Sequence, residues 1–190
     1  MVSMENKHIA VVLGTAREGR VSEKVAKAVV AVIYNMGGYT TELVDVRDHV
    51  LSAVTTPPWG TGGADERPTK WKEIVEKSQG LVFVIPEYNH TMPGELKILL
   101  DSLTSSYAGK AVGLVGVTGG TLGAARVMDH VRPVFNTLNM HVVKEGVHVS
   151  KASEAVTSDG IFVDPKTAEY TQKMVEEISK LSTALLTIKE

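Results

Sequence analysis

Three short stretches gather the residue types that bind anions and flat ring systems. The first is Gly14-Thr15-Ala16-Arg17-Glu18-Gly19-Arg20-Val21-Ser22, where two glycines, two hydroxyls and two arginines lead into a helical pattern. The start of a helix offers unpaired N–H groups and roughly half a positive charge, so a phosphate is a natural occupant. The dinucleotide fingerprint GxGxxG is absent. Gly14 and Gly19 have P-loop spacing, but Arg20-Val21 stands where Lys and Ser/Thr are required, which argues against triphosphate chemistry. A monophosphate needs only hydroxyls and backbone amides. The plainer alternative is a glycine turn with solvated arginines.

The second stretch is Pro86-Glu87-Tyr88-Asn89-His90-Thr91-Met92-Pro93-Gly94. Two prolines stiffen it, so that its amides and Tyr88 can be held against a flat ligand; as bare structure it is a Pro-initiated helix start. The third is Thr118-Gly119-Gly120-Thr121-Leu122-Gly123, where glycines let backbone approach a ligand and Thr118 or Thr121 can donate hydrogen bonds. Glycine-rich turns are common, and this one carries little alone.

The elements that must position these stretches are legible. His8–Leu13, Gly80–Ile85 and Ala111–Val117 are apolar runs without polar alternation, as expected of strands covered on both faces. Tyr39–Val46 and Met140–Val149 are weaker strand candidates. Val21, Val25, Ala28, Val29 and Val32 form one helical face, with Ser22 as N-cap and Gly37 as the stop. Leu96, Leu99, Leu100 and Leu103 form another behind Pro93. Val127, Val131, Val134 and Leu138 form a third, which Pro133 should kink. Tyr170, Met174, Ile178, Leu181 and Leu185 form the last, behind Asp164-Pro165; a helix at Thr69–Lys77 has the weakest pattern. Such alternation predicts a doubly wound α/β fold in one domain, 1–190, with ligands bound beyond the carboxyl ends of the strands. Each of the three stretches follows a strand.

Composition narrows the function. The chain has 190 residues, 43% hydrophobic and 22% charged, with a net charge of -2, which predicts an ordered globular protein without the basic character of a nucleic-acid binder. It has no cysteine, so thiolate catalysis and Cys-ligated metal centres are excluded. His8, His49, His90, His130, His141 and His148 show no metal-binding spacing. MVSMENKH leads into only a short apolar run, and the expectation is a soluble, cytoplasmic protein that engages neither membrane nor nucleic acid. Asp48–Pro68, with Trp59, is long for a connection and reads as a surface loop or a flap over a ligand or partner subunit.

GTAREGRVSEKVA followed by PEYNHTMPGELKILLDSL resembles the NADPH-dependent FMN reductase family, with its related quinone, azo-dye and chromate reductases. The resemblance implies a flavodoxin-like five-stranded parallel sheet, order 2-1-3-4-5, with helices on both faces, and a homodimer or homotetramer. It implies that Thr15, Arg17 and Ser22, with amides around Arg20 and Val21, hold the FMN phosphate. Pro86, Glu87, Tyr88 and Asn89 would line the isoalloxazine, amides aimed at its polar edge, and Thr118, Gly119 and Gly120 would border its pyrimidine end. The implied activity passes a hydride from NAD(P)H to FMN and on to a small acceptor: a flavin, quinone, azo compound or metal oxyanion. No side-chain nucleophile is required. The alternative is an FMN-binding electron-transfer protein without NAD(P)H activity of its own. Three departures stand out: His90-Thr91 where a variable residue and serine are usual, Ile98 for a helix asparagine, and no tryptophan in Ser102–Gly109.

Overall fold

The computed structural model describes residues 7–50 and 66–188; Trp59 and most of the Asp48–Pro68 connection lie outside them. Five strands, β1 (Lys7–Leu13), β2 (Tyr39–Asp45), β3 (Gly80–Pro86), β4 (Ala111–Val117) and β5 (His141–Val149), form one sheet in the order β2-β1-β3-β4-β5. All four pairings are parallel. The helices are α1 (Ser22–Asn35), α2 (Val46–His49), α3 (Arg67–Lys77), α4 (Gly94–Asp101), α5 (Ala125–Thr137) and α6 (Pro165–Ile188), with a 3-10 turn at Ser105–Tyr107.

The central strands are apolar throughout because alternate residues feed opposite layers. Ala10, Val12, Leu81 and Phe83 pack beneath α3, α4 and α5, while Ile9, Val11, Leu13, Val82 and Val84 pack against α1 and α6. Each buried branched side chain contributes about 1.5–3 kcal/mol, so both faces must be covered. Edge strand β5 alternates in burial, and a register shift opposite Val112–Leu114 lengthens it against β4.

Local expectations hold with two adjustments. α1 ends at Asn35 and Gly37 takes a left-handed φ of 69°, the geometry of a glycine helix stop. Asp164 Oδ1 accepts from the Lys166 amide at 3.0 Å and so starts α6, as read. Ser22 is not an N-cap: Val21 holds that place and makes no side-chain cap bond, leaving Ser22 as the first helical residue. β2 stops at Asp45, whose carboxylate accepts from the Arg47 amide at 3.0 Å and begins the unforeseen α2. α5 runs on through Pro133 to Thr137, whose hydroxyl donates to the Pro133 carbonyl at 3.0 Å.

The stretch without tryptophan is filled differently. Tyr107 is fully buried, accepts from Trp71 Nε1 at 2.6 Å and donates to the Leu99 carbonyl at 3.3 Å. Among the described residues no helix is long and apolar enough to cross a membrane.

Candidate functional site

Because every strand is parallel, the three loops leave the same edge of the sheet. They meet around a cleft of about 480 Å³ lined by Arg17–Ser22, Pro86–Tyr88 and Val117–Gly119, with Ala152 and Ser153 from the connection after β5. That last pair was not foreseen. Ala152 is brought there by its amide, which donates to the Thr118 carbonyl at 3.0 Å.

The first loop is held open by bonds to its carbonyls. Arg20 turns inward, its side chain 3% exposed, and meets Asp45 with both terminal nitrogens and the Thr15 carbonyl with one. Arg47 donates to the carbonyls of Ala16 at 2.9 Å and Arg17 at 2.8 Å. With these carbonyls drawn to the far side, the amides of Glu18, Gly19, Arg20, Val21 and Ser22 make no hydrogen bond to any described residue. Successive free amides at a helix start form an anion-binding concavity. Burial alone would raise the Asp45 carboxyl, but Arg20 and the Arg47 amide outweigh it and hold the group below its ordinary value. Burial would lower the Arg20 pKa, but Asp45 together with Glu23 outweighs it and raises it. Arg20 therefore contributes its backbone to the cleft, while its guanidinium braces the loop.

Ser22 is the telling side chain. It is 3% exposed, lines the cleft, and its Oγ has no hydrogen-bond partner. An orphaned buried hydroxyl costs about 1–3 kcal/mol, and one on the wall of a cleft is placed to bond whatever occupies it. Arg17 is exposed beside it, with its guanidinium 5.9 Å from the centre of the Tyr88 ring. Thr15, by contrast, is fully buried and donates to Glu95 Oε1 at 2.8 Å. Gly14 has no room for a side chain: a Cβ would lie 3.0 Å from Leu96 Cδ2 and from the Val84 carbonyl.

The second loop closes on itself. Tyr88 and Thr91 exchange backbone hydrogen bonds of 2.9 and 3.0 Å across Asn89 and His90, at φ of 50° and 69°. Two left-handed central residues make a type I′ turn, and Asn and His are among the side chains that tolerate it. The departure at His90-Thr91 thus has a structural use. Pro86 is buried and Tyr88 half-buried on the cleft wall, but Asn89 is exposed at the turn tip. The amides do not all face the cleft as expected: that of Glu87 donates to Val117 and that of Tyr88 to Thr91. The Glu87 carboxylate accepts from the Val127 amide at 3.3 Å and lies 3.8 Å from Arg126, serving the first turn of α5.

In the third loop Thr118 Oγ1 accepts from the Gly120 amide at 3.2 Å, a tight polar turn at the cleft rim. Thr118 and Gly119 line the cleft; Gly120 sits one step behind, its carbonyl accepting from the Lys151 amide.

A five-stranded parallel sheet in this order, with a loop of amides after β1 that have no partner among the described residues and a cleft at the carboxyl edge, defines the flavodoxin-like class. The sequence matches the NADPH-dependent FMN reductase family over residues 8–154, and the chain belongs to that family. It is an oxidoreductase with FMN as cofactor and NAD(P)H as cosubstrate. An NAD(P)H-dependent FMN reductase of Pseudomonas aeruginosa is 29% identical over 146 residues, covering 74% of this chain and 77% of that protein. An NADPH azoreductase of Bacillus sp. (strain OY1-2) is 29% identical over 187 residues, covering 95% and 93%. The flavoenzyme FerB, an NAD(P)H:(acceptor) oxidoreductase of Paracoccus denitrificans, superposes with a TM-score of 0.79 at 23% identity, covering 92% of this chain and 98% of that one. This last likeness speaks for the fold.

Proposed function

We propose that the cleft holds FMN with its phosphate at the Glu18–Ser22 amides, Ser22 Oγ and Arg17, and its ring system between Tyr88 and Thr118–Gly119. The observation that carries this reading is the unpartnered Ser22 hydroxyl, buried beneath free amides at the start of α1. These donors suit a dianion: neutral hydrogen bonds, one cation and a helix start supply charge without a metal-like point charge. Pro86, Tyr88 and Val117 supply an apolar wall for a flat tricycle.

Bound there, FMN would supply the hydride and electron transfer between NAD(P)H and an acceptor. The chain's own task is to hold, orient and tune. Arg17 balances the phosphate while remaining over the Tyr88 ring, so the two ends of the cleft are set by neighbouring side chains. Backbone donors at the rim, Gly119 among them, favour negative charge on whatever lies against them. No acid or base is assigned.

The acceptor class follows from the openness of the cleft and from relatives named for their substrates. A 2-hydroxy-1,4-benzoquinone reductase of Burkholderia sp. is 26% identical over 175 residues, alongside the azoreductase already named. A quinone or azo compound is therefore the acceptor we favour over free flavin or a metal oxyanion. Holoprotein mixed with NADPH in the absence of air should lose its yellow colour and regain it on adding a quinone. Colour unchanged by NADPH would leave only a carrier of electrons from another source.

A further inference from the structure

Glu95 lies outside the lining of the cleft, yet its carboxylate holds the first loop, which forms one of the walls. It is the second residue of α4, and a single oxygen, Oε1, accepts from the Ala16 amide at 2.7 Å and the Thr15 hydroxyl at 2.8 Å. Burial would raise this carboxyl, but the amides of Ala16 and of Glu95 itself, with the Thr15 hydroxyl, outweigh it and keep the group below its ordinary value. It is ionised at neutral pH and can only accept.

The direction of the remaining bonds then follows by counting protons. Thr15 has one hydroxyl proton and gives it to Glu95. Its oxygen therefore accepts from Tyr88 OH at 3.1 Å and from the Arg17 amide at 3.3 Å. A one-way chain runs from Tyr88 through Thr15 to Glu95, tying the ring-side loop to the phosphate-side loop from behind. Thr15 has no proton left for a phosphate. The same chain fixes the phenol whose ring carries Arg17.

We infer that Glu95 is a positioning residue for the cofactor, coupling the Tyr88 platform to the phosphate loop through Thr15 so that the two walls act as one. This rests on the cleft being the FMN site. Glu95 and Tyr88 are each bonded to Thr15 and the structure gives no bond between them, so the threonine is the hydrogen-bonded link, with the Ala16 amide beside Arg17 as the neighbouring contact.

The test is a double-mutant cycle read as the FMN dissociation constant, by quenching of flavin fluorescence, with visible circular dichroism of the bound flavin as second readout. Glu95→Ala removes two partly buried hydrogen bonds and should weaken FMN by roughly tenfold; Tyr88→Phe removes one and should weaken it by less. The double variant should be no weaker than Glu95→Ala alone, and both should alter the dichroism in the same way. Glu95→Gln, whose amide oxygen still accepts from Ala16 and Thr15, should restore most of the affinity. Should Glu95→Ala not fold, Glu95→Asp keeps the charge but loses the reach and takes its place. Additive effects, or wild-type affinity in Glu95→Ala, would overturn the coupling. If Arg17→Ala with Ser22→Ala weakens FMN while the effects add, only the coupling fails; if that pair leaves FMN affinity unchanged, the cleft reading itself fails.

Discussion

The sheet has a hollow at each edge, and the more cationic of the two is not the one that suits a phosphate. At the amino edge, a hollow of about 340 Å³ gathers Lys7, His8, Lys77 and Lys110. Each of these groups is already engaged. Lys7 donates to Ser179, His8 bonds Thr40 and Glu42 at 2.9 Å each, Lys77 pairs with Glu42 at 2.9 Å, and Lys110 donates to the Ser78 carbonyl at 2.6 Å. At the carboxyl edge, Arg20 is neutralised and Arg17 is the remaining cation of the lining, but a run of amides and the Ser22 hydroxyl have no partner among the described residues. Donors with nothing to bond, rather than charges, distinguish a site from a solvated surface.

That contrast can be broken by substitution at either edge. The largest effect is expected at the carboxyl edge: Arg17→Ala with Ser22→Ala removes two donors to a dianion and should weaken FMN by about 10²–10³-fold, while the apoprotein melts near the wild-type temperature. Lys7→Ala with Lys77→Ala should leave FMN affinity within about twofold, because the charges are remote and screened. A comparable loss from the lysine pair, measured by the same fluorescence titration, would erase the distinction.

The next effect concerns support rather than contact. Asp45→Ala leaves the Arg20 guanidinium, 3% exposed, with only the longer 3.4 Å contact to Glu23, and should lower the unfolding free energy by about 2–3 kcal/mol in urea titration. The corresponding change at the other edge, Glu42→Ala, removes half-exposed pairs with His8 and Lys77 and should cost only about 0.5–1 kcal/mol. Equal costs would mean the loop brace is no more than a surface pair.

A finer test uses acid. The folded Asp45 carboxyl titrates below its unfolded value of about 3.9, so its contribution is complete above that pH and is lost as pH falls through the folded value. Urea midpoints of wild type should therefore drop below about pH 4, with a shallower drop in Asp45→Asn. The same slope in both proteins would place the acid-sensitive group elsewhere.

The sequence made the scaffold legible because its signals are local. Apolar runs such as Gly80–Ile85 need both faces covered, and that alone implies a parallel sheet between helix layers. The loops were visible as odd residue strings after strands. Their bracing was not: Arg20 meets Asp45 and Arg47 meets Ala16 across long separations, and nothing near Asp45-Val46-Arg47 marks it as a neighbour of the first loop except the strand order. Glu95 was hidden for the same reason, in a helix start where an acid is ordinary. Ser22 was read by residue type as a cap, yet the backbone turns helical one residue earlier, which is why its hydroxyl is free to face the cleft. The amides of Glu87 and Tyr88 were misjudged because a Pro-stiffened loop gives no hint of a turn through Asn89 and His90 that bonds to itself.

The carbonyl ties of Arg20 and Arg47 have a kinetic corollary. A loop clamped in its receptive shape before any nucleotide arrives has no ordering step left to slow capture, so cofactor should load at close to the encounter rate set by diffusion. How long the holoenzyme keeps its colour on dilution then depends on escape alone, and residence time becomes the quantity that changes in these residues would tune.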